Sequence, residues 1–395
     1  MTFLTASLPG TGGVYKQYAE DFEVEEIPLY PCSGAGEHLY LWIEKKGITT
    51  RDLIHQMATG LKLKDRDIGY AGLKDARAVT RQFLSVPSRT EASLARLRLN
   101  HATILSTARH GNKLRLGHLA GNRFSICLRN THPEAVARAK RIFAVLEKQG
   151  VPNRFGEQRY GSLNNSHRLG KRLLQKQYDL FCRELIGDPQ AVHDPQWRQA
   201  ARAFRAGDLK QARQLLPTRM RDEHRLLQML DAGKTAAAAV LALPRPLLRL
   251  LLSAYQSDLF DTLLKQRLPH LGLIEPGDIA FKHINGACFQ VEDAPREQSR
   301  ADQFEISPTA PLFGHKVLLA DKNPGVRERT LLDLEQLTLA DWHGISGLTM
   351  PGERRPLRVP LGSPQATPLP TGLKLSFALP KGSYATSVLT EIIKN

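Results

Sequence analysis

The chain has 395 residues, a length typical of two or three domains at roughly 150 residues each. A hydrophobic fraction of 42% and a charged fraction of 24% exclude wholesale disorder, and no apolar run approaches the roughly 18 residues that span a bilayer. The formal net charge is +16, which favours a polyanionic partner. Nucleic acid is favoured over a membrane surface, because no strong cationic amphipathic helix is evident.

The amino terminus and the cysteines favour a cytoplasmic protein without a metal site. The first ten residues, MTFLTASLPG, lack the basic segment of a secretory signal. The four cysteines lie dozens of residues apart, so that neither a zinc knuckle nor a disulfide framework is predicted. The sequence contains no H-E-x-x-H motif.

The first 130 residues predict mainly strands, with a β-rich run at His38–Lys46 and alternating apolar positions in Lys113–Asn130. One helix interrupts them at 49–63, with Thr50 as its N-cap. A second helix is predicted after Thr131, with Pro133 in its first turn and Gly150 at its end.

From about 173 to 268 the pattern predicts helix after helix, followed by a strand at 286–293 and a helical segment at 323–342. The chain ends in a predicted strand at 373–380 and a helix at 385–394. A β-rich, then helical, then β-rich order is typical of a domain inserted into a discontinuous α+β domain.

The densest candidate site is GYAGLKDARAVTRQFLSV, at 69–86, which places Asp75 on a glycine-bordered turn before a strand. Such a loop can present a carboxylate rigidly to a substrate. The structural alternative is that Asp75 caps a turn or pairs with Arg77 on the surface.

A second candidate, VPNRFGEQRYGS at 151–162, combines Asn153, Phe155, Gln158 and Arg159. Amides read base edges, aromatic rings stack on bases and arginine meets phosphate, so the composition suits nucleotide recognition. The alternative is an ordered connecting loop with one buried aromatic ring.

The two ends of the chain supply the remaining candidates. Near the amino terminus, Lys16 precedes a strand on which Phe22, Val24 and Glu26 share one face; the alternative there is an edge strand with solvated charges. Near the carboxyl terminus, Tyr384 stands at the start of a helix, an anion-friendly position, although ordinary helix capping by Ser and Thr is the alternative.

Together these stretches resemble one family, the TruD-type tRNA pseudouridine synthases, over nearly the whole chain and in the family's order. The matching motifs are the lysine before EDFxVxE, GEH, AGxKDxxAVTxQ, KLRLGxLxGNxF, VPNxFGxQRxG, SAYQSDLF, VED, SPTAPLFG, RR and PKGSYATS. The resemblance implies an α+β fold in which a discontinuous mixed-sheet catalytic domain carries an inserted, mainly helical TRUD domain. The implied boundaries are 1–175 and 351–395 for the catalytic domain and 176–350 for the insertion.

The resemblance also implies roles for individual residues. Asp75 takes the place of the family's catalytic carboxylate, and Lys16 takes that of a lysine near it. Phe22, Asn153, Phe155 and Tyr384 correspond to residues that line the target-nucleotide site. The residue at 384 is often Phe in bacterial relatives, and Tyr keeps a ring that can stack.

The implied reaction converts a uridine in tRNA, at position 13 in the D-arm, to its C5-glycoside isomer without a cofactor, and the implied enzyme is a monomer. The carboxylate attacks C1′ or abstracts a 2′-proton, and both routes stay open. The alternatives from other classes are an RNA-binding module without catalysis and a ribonuclease, which would require paired histidines or a metal site. We expect the tRNA backbone to meet a set of basic residues, with structural ion pairs as the alternative: Lys113, Arg115, Arg123, Arg159, Arg354 and Arg355.

Overall fold

The structure is a computed structural model that describes residues 2–345 and 347–394, without the side chains of residues 157 and 158. It contains two compact units. The first is built from the chain up to Pro152 and from Val359 onward, and the second from Asn153–Arg358. The domain boundaries that the family resemblance implies, at 175 and 351, stay a prediction.

The strands, in chain order, are β1 (Phe22–Pro28), β2 (His38–Lys46), β3 (Gly69–Tyr70), β4 (Val79–Pro87), β5 (Ala102–His110), β6 (Leu119–Arg129), β7 (Val151–Pro152), β8 (Ile279–Lys282), β9 (Cys288–Gln290), β10 (Ile306–Leu312), β11 (Glu353–Pro356), β12 (Arg358–Val359), β13 (Gly362–Leu369) and β14 (Gly372–Pro380).

The α-helices are α1 (Thr50–Leu61), α2 (Ala135–Gln149), α3 (Ser166–Leu174), α4 (Tyr178–Ile186), α5 (Pro195–Arg205), α6 (Leu209–Leu215), α7 (Arg221–Asp231), α8 (Ala236–Leu241), α9 (Arg245–Arg267), α10 (Ala294–Asp302), α11 (Lys322–Leu334) and α12 (Ala385–Ile393). Short 3-10 helices lie at Ala19–Asp21, Asp65–Asp67, Ser88–Arg96, Glu157–Tyr160, Leu268–His270 and Leu339–His343.

The first unit is organised around a mixed sheet in the order β13-β14-β6-β1-β4-β2-β5, with β3 paired to β4. Strand β1 runs parallel to β4 and antiparallel to β6, so it is a central strand rather than the edge strand of the alternative interpretation. Helix α1 packs its Leu53 and Met57 with the side chains of β2 and β4, and α2 and α12 share a core with β1, β6 and β14. The expected mixed-sheet α+β architecture is confirmed.

The second unit is mainly helical and also contains a small antiparallel sheet in the order β11-β10-β8-β9. Its longest helix, α9, buries twelve of its side chains, including Tyr255 and Phe260. At the end of α9 the buried Arg267 donates to Asp278, with 2.9 Å between Nη1 and Oδ1. A paired charge of this kind stays buried because each ion satisfies the other.

Most predicted elements are confirmed, including β2 with its exact bounds, the helical stretch after 173, and the final strand and helix. Residues 113–118 are an exception, because they form an irregular segment with a turn at 116–117, and the predicted strand begins only with β6. The predicted N-cap of α1 is also wrong by one residue. The Thr49 side chain caps the helix by accepting from the Asp52 amide, and Thr50 is buried within the first turn.

Within residues 2–345 and 347–394, no helix combines the length and apolarity needed to cross a membrane.

The fold makes a specific demand on Gly121 in β6. A Cβ at this position would overlap the carbonyl oxygen of Leu379 in β14, a backbone atom that cannot yield without disturbing the ladder. We therefore expect Gly121→Ala to destabilise the first unit by about 1–3 kcal/mol. Calorimetry is expected to show a Tm lowered by a few degrees. Gly111→Ala is the matched control, because a Cβ at Gly111 would point into open space. An equal Tm for both variants would contradict the argument.

Candidate active site

Asp75 lies on the loop that joins β3 to β4, and two buried side chains fix the path of this loop. The Thr50 hydroxyl accepts from the Lys74 amide at 2.9 Å and donates to the Gln82 carbonyl Oε1 at 2.9 Å. Gln82 in turn donates to the Gly72 carbonyl at 3.4 Å. The loop is therefore tied to α1 and β4 just before the carboxylate.

Lys74 anchors the same loop in the interior of the sheet. Its ammonium lies 2.9 Å from Glu26 Oε2 in β1 and donates to Asn122 Oδ1 in β6 at 2.6 Å. Burial raises the pKa of Glu26, against the charge and hydrogen bond of Lys74. Separating the two side chains would leave an uncompensated buried charge, which is costly. The pair therefore fixes the position of Lys74 and of the next residue, Asp75.

The Asp75 carboxylate has two different partners. Oδ2 accepts from the Lys16 ammonium, while Oδ1 accepts from the Arg77 backbone amide at 3.0 Å. One oxygen thus closes the turn, as the structural interpretation of the sequence predicted, and the other meets a cation. The Asp75 side chain keeps 30% of its exposure, which leaves the carboxylate within reach of solvent.

The surrounding charges keep Asp75 ionised. Burial on its own would raise the pKa of this carboxyl, but the bonds from Lys16 and the Arg77 amide, with the charges of Lys16 and Lys45, hold the pKa below its usual value. At neutral pH the group is therefore a carboxylate and can act as a nucleophile or a base.

Lys16 reaches Asp75 from a strained backbone position. Its φ is 60°, in the left-handed region that non-glycine residues seldom adopt. Its ammonium also lies 4.2 Å from the centre of the Phe22 ring at the start of β1. Phe22 is held in turn by its neighbour Asp21, which is buried and accepts a forked pair of bonds from Arg129. Lys16, Phe22 and Asp75 are thus brought together.

Lys45 is part of this cluster and was missed by the sequence argument. It is fully buried in β2, and its ammonium donates to the backbone carbonyls of Ile48 at 2.7 Å and Asp75 at 2.8 Å. Burial lowers the pKa of Lys45 to about 8, although the Asp75 charge opposes this shift. A signal was present, because Lys45 follows Leu39, Leu41 and Ile43 on the buried face of its strand. A lysine at such a position needs a partner.

Asn153, in the second unit, is buried and its amide group is already engaged. Nδ2 donates to the Pro356 carbonyl at 2.9 Å, and Oδ1 accepts from the Arg355 guanidinium at 2.6 Å. Its backbone carbonyl accepts from the same guanidinium. Asn153 therefore holds Arg355 in one orientation.

Phe155 stacks against the guanidinium that Asn153 holds. The Arg355 Cζ lies 4.3 Å from the Phe155 ring centre, and the Phe260 ring meets the same ring edge to face at 5.7 Å. The backbone amide of Phe155 donates to Asp261 Oδ1 at 3.2 Å, and Tyr160 donates to Oδ2 at 3.0 Å. Burial raises the pKa of Asp261 to about 6 despite these bonds. No sequence signal pointed to Asp261, which lies more than one hundred residues from Phe155 in the chain.

Tyr384 occupies the N-cap position of α12 in the first unit, as predicted, and is 37% exposed. The Tyr384 side chain itself makes no capping hydrogen bond to the helix. The neighbouring Ser383 and Thr386 hydroxyl oxygens are buried and have no hydrogen-bond partner among the described residues. This end of α12 therefore offers polar groups beside an exposed ring.

The basic residues expected to meet phosphate differ in their environments. Arg354 is a structural residue: its side chain is 5% exposed, pairs with Glu328 at 2.9 Å and donates to Thr309. Arg159 donates to Ser253 and Ser257, and Arg123 pairs with Glu25 on the surface. The side chain of Gln158 lies outside the described part of the structure.

The described residues contain no group of three or more His, Cys, Asp or Glu side chains arranged to bind a metal ion.

The fold and the site define a basic α+β protein with an ionised carboxylate held on a central loop of a mixed sheet. A family model described as tRNA pseudouridine synthase D (TruD) matches residues 1–392. The proteins named tRNA pseudouridine synthase D from Syntrophotalea carbinolica and Geobacter sulfurreducens are 52% and 49% identical to this chain. The alignments cover 99% of this chain in both cases, and 98% and 96% of those proteins.

The fold leads to the same family. A crystal structure described as a tRNA pseudouridine synthase D (TruD) from Methanosarcina mazei superposes with a TM-score of 0.86 at 26% identity, covering all of this chain and 96% of that one. The chain therefore belongs to the tRNA pseudouridine synthase D (TruD) family, a family of isomerases.

The raised pKa of Asp261 predicts a pH-dependent stability. Between about pH 4 and 6 the folded state binds a proton at Asp261 that the unfolded state has released, so this carboxyl makes the free energy of unfolding fall as the pH rises through that window. A shift of about two units corresponds to about 3 kcal/mol. Asp261→Asn is expected to remove this decline, as measured by urea unfolding from pH 3.5 to 7. Parallel curves for the wild type and the variant would contradict the assignment.

Proposed function

We propose that the protein is a tRNA pseudouridine synthase that converts a uridine to pseudouridine without a cofactor, and that its target is uridine 13 in the D-arm of tRNA. Membership of the TruD family and the names of its relatives support the reaction class. The net charge of +16 supports a nucleic-acid substrate. We also propose that the enzyme acts in the cytoplasm and that it is a monomer.

Asp75 is the catalytic carboxylate in this proposal, and the observation that carries it is the lowered pKa of a partly exposed carboxyl on a fixed loop. The isomerisation breaks the N1–C1′ bond, rotates the uracil and forms a C5–C1′ bond. A carboxylate that attacks C1′ or removes a 2′-proton must be ionised in either case. Lys16 supplies the positive charge that keeps it so and holds the oxygen in place.

The aromatic residues are assigned to the substrate. We propose that Phe22 lines the nucleotide site beside Lys16. The Lys16 ammonium lies over the Phe22 ring, and only 6% of Phe22 is exposed. Tyr384 offers a more exposed ring for stacking on a base. Stacking is needed because the target base must leave the RNA helix before the carboxylate can reach its sugar.

Asn153 and Phe155 are likewise proposed as substrate-binding residues. The Asn153 amide already serves Arg355 and Pro356, so its contribution includes fixing the guanidinium on the Phe155 ring. The detached uracil must be kept in place during rotation, and a planar ring and guanidinium present flat, polarisable surfaces for this.

The assignment of Asp75 predicts the behaviour of Asp75→Asn. This substitution keeps the shape and the turn bond to the Arg77 amide but removes the ionised oxygen at Lys16. Pseudouridine formation on unmodified tRNA is expected to fall below detection, while the Kd for tRNA and the Tm stay close to wild type. Pseudouridine mapping by carbodiimide treatment and primer extension measures the product and its position.

Asp179→Asn is the control, because Asp179 is an exposed residue in the first turn of α4. It is expected to retain full activity. Pseudouridine formation by Asp75→Asn would contradict the catalytic role of Asp75. A wild-type protein that binds tRNA yet forms no pseudouridine would instead indicate an RNA-binding module.

A further inference from the structure

The first unit contains an open pocket of about 710 Å³ that does not include Asp75 or Lys16 among its lining residues. Its walls come from α1, from the segment that leads through β3, and from the turns before β6. A volume of this size accommodates a nucleotide unit. Its lining includes Arg51, Arg66, Lys113, Arg115, Tyr70 and Leu116.

The pocket is strongly basic. Its lining has four cationic side chains and one carboxylate, Asp65, and the Asp65 carboxylate lies 3.7 Å from the His55 imidazole. None of the four cations forms an ion pair with a carboxylate in the described ranges 2–345 and 347–394. Cations gathered in a pocket without counterions attract an anionic ligand, and repeated phosphates are the natural match.

Arg51 adds an independent argument because of where it stands. It lies in the first turn of α1, where the helix dipole is positive and a cation is unfavourable. Its side chain is exposed, so packing does not explain its charge at this position. An anion bound in the pocket would attract both the Arg51 guanidinium and the positive end of the helix, and these attractions would offset the unfavourable interaction.

The walls of the pocket are held together by close backbone packing. A Cβ at Gly69 would overlap the Leu114 carbonyl oxygen, so the two segments touch directly. Leu114 donates from its amide to the Ser85 hydroxyl at 3.0 Å, and the Lys113 ammonium donates to the Arg66 carbonyl. The pocket therefore does not need to form on binding, which lowers the cost of ordering its side chains.

Tyr70 and Leu116 supply surfaces for the uncharged parts of a ligand. Tyr70 is half-buried in β3, and Leu116 is 68% exposed at the turn before β6. Proteins commonly bind single-stranded RNA by placing aromatic and apolar side chains beside a basic track. The combination is therefore better suited to a nucleotide segment than to an isolated inorganic anion.

The pocket is joined to the Asp75 loop by a short stretch of chain. Asp75 is five positions beyond Tyr70 in the chain, a stretch that spans at most about 18 Å. The Gly117 amide also donates to the Ala71 carbonyl at 2.8 Å, which ties the pocket's turn to the start of that loop. A strand bound at both places would need only a few nucleotides between them.

We propose that this pocket binds the sugar-phosphate backbone of the tRNA, a few nucleotides from the uridine that is isomerised. The proposal rests on the proposed function, since it requires tRNA to be the substrate. It assigns Arg51, Lys113 and Arg115 to phosphate contacts and Tyr70 to a ribose or base. The site acts on affinity and placement of the RNA, whereas the chemistry stays at Asp75.

The test is a salt titration of tRNA binding with the double variant Arg51→Gln/Arg115→Gln. The slope of log affinity against log salt is negative, and each lost phosphate contact reduces its magnitude by about 0.7–0.9. The magnitude is therefore expected to decrease by about 1.4–1.8 in the double variant. Binding at about 0.1 M salt is expected to weaken about tenfold or more. The single-turnover rate at saturating tRNA is expected to stay within about threefold of wild type, because the Asp75 cluster is untouched.

Two further variants make the result specific. Lys140→Gln/Arg141→Gln removes the same charge from exposed positions on α2 and is expected to keep wild-type slope and affinity. Arg51→Lys/Arg115→Lys keeps the charge and is expected to restore most of the slope. Equal slopes for the pocket variant and the α2 control would overturn the proposal.

A separate arm distinguishes RNA from a free nucleotide. Uridine monophosphate is titrated against the wild-type protein, and weak binding in the millimolar range is expected. Binding tighter than that of tRNA, lost in the pocket variant, would overturn the proposal in favour of a mononucleotide site. The proposed function fails separately, when wild-type protein forms no pseudouridine, whether or not the pocket variant changes tRNA binding.

Discussion

A half-buried carboxyl group loses hydration, and this loss favours its neutral form unless nearby charges oppose it. At Asp75 the opposition comes from Lys16, which bonds to the carboxylate, and from Lys45, which bonds to the backbone carbonyl of the same residue. Both lysines carry a cost of their own. Lys16 has left-handed backbone geometry, and Lys45 is desolvated enough to lower its pKa to about 8. The arrangement is consistent with a site that gives up some stability to keep one anion in place.

The rest of the first unit makes this arrangement rigid. Glu26 in the central strand β1 pairs with Lys74, so that the residue before Asp75 is anchored in the sheet. The parallel pairing of β1 with β4 brings the amino-terminal segment, with Lys16 and Phe22, to the loop that precedes β4. The long-range topology thus assembles groups that are distant in sequence. A site on a rigid sheet can hold its side chains in one geometry.

Local pattern was sufficient for the elements but not for the contacts between them. The alternation of Phe22, Val24 and Glu26 indicated β1, and a β-rich composition indicated β2. Asp75 was identified on its loop because glycines and a following strand surround it. The segment at 113–118 was mistaken for a strand because its apolar residues alternate. In the structure its backbone packs directly against Gly69, a tertiary contact that the alternation does not reveal. Lys45 could have been found from its place on an apolar strand face. Asp261 could not, because its bond to the Phe155 amide depends on tertiary structure alone.

The most direct test of this account is the pKa of Asp75 in the folded protein. Carbon-13 NMR of protein labelled at the aspartate carboxyls measures it, with the signal assigned by its absence in Asp75→Asn. The account predicts a pKa below the ordinary aspartate value near 3.9, and a clear rise in Lys16→Met, where burial is no longer offset by the bonded ammonium. A pKa at or above the ordinary value, unchanged by Lys16→Met, would contradict it.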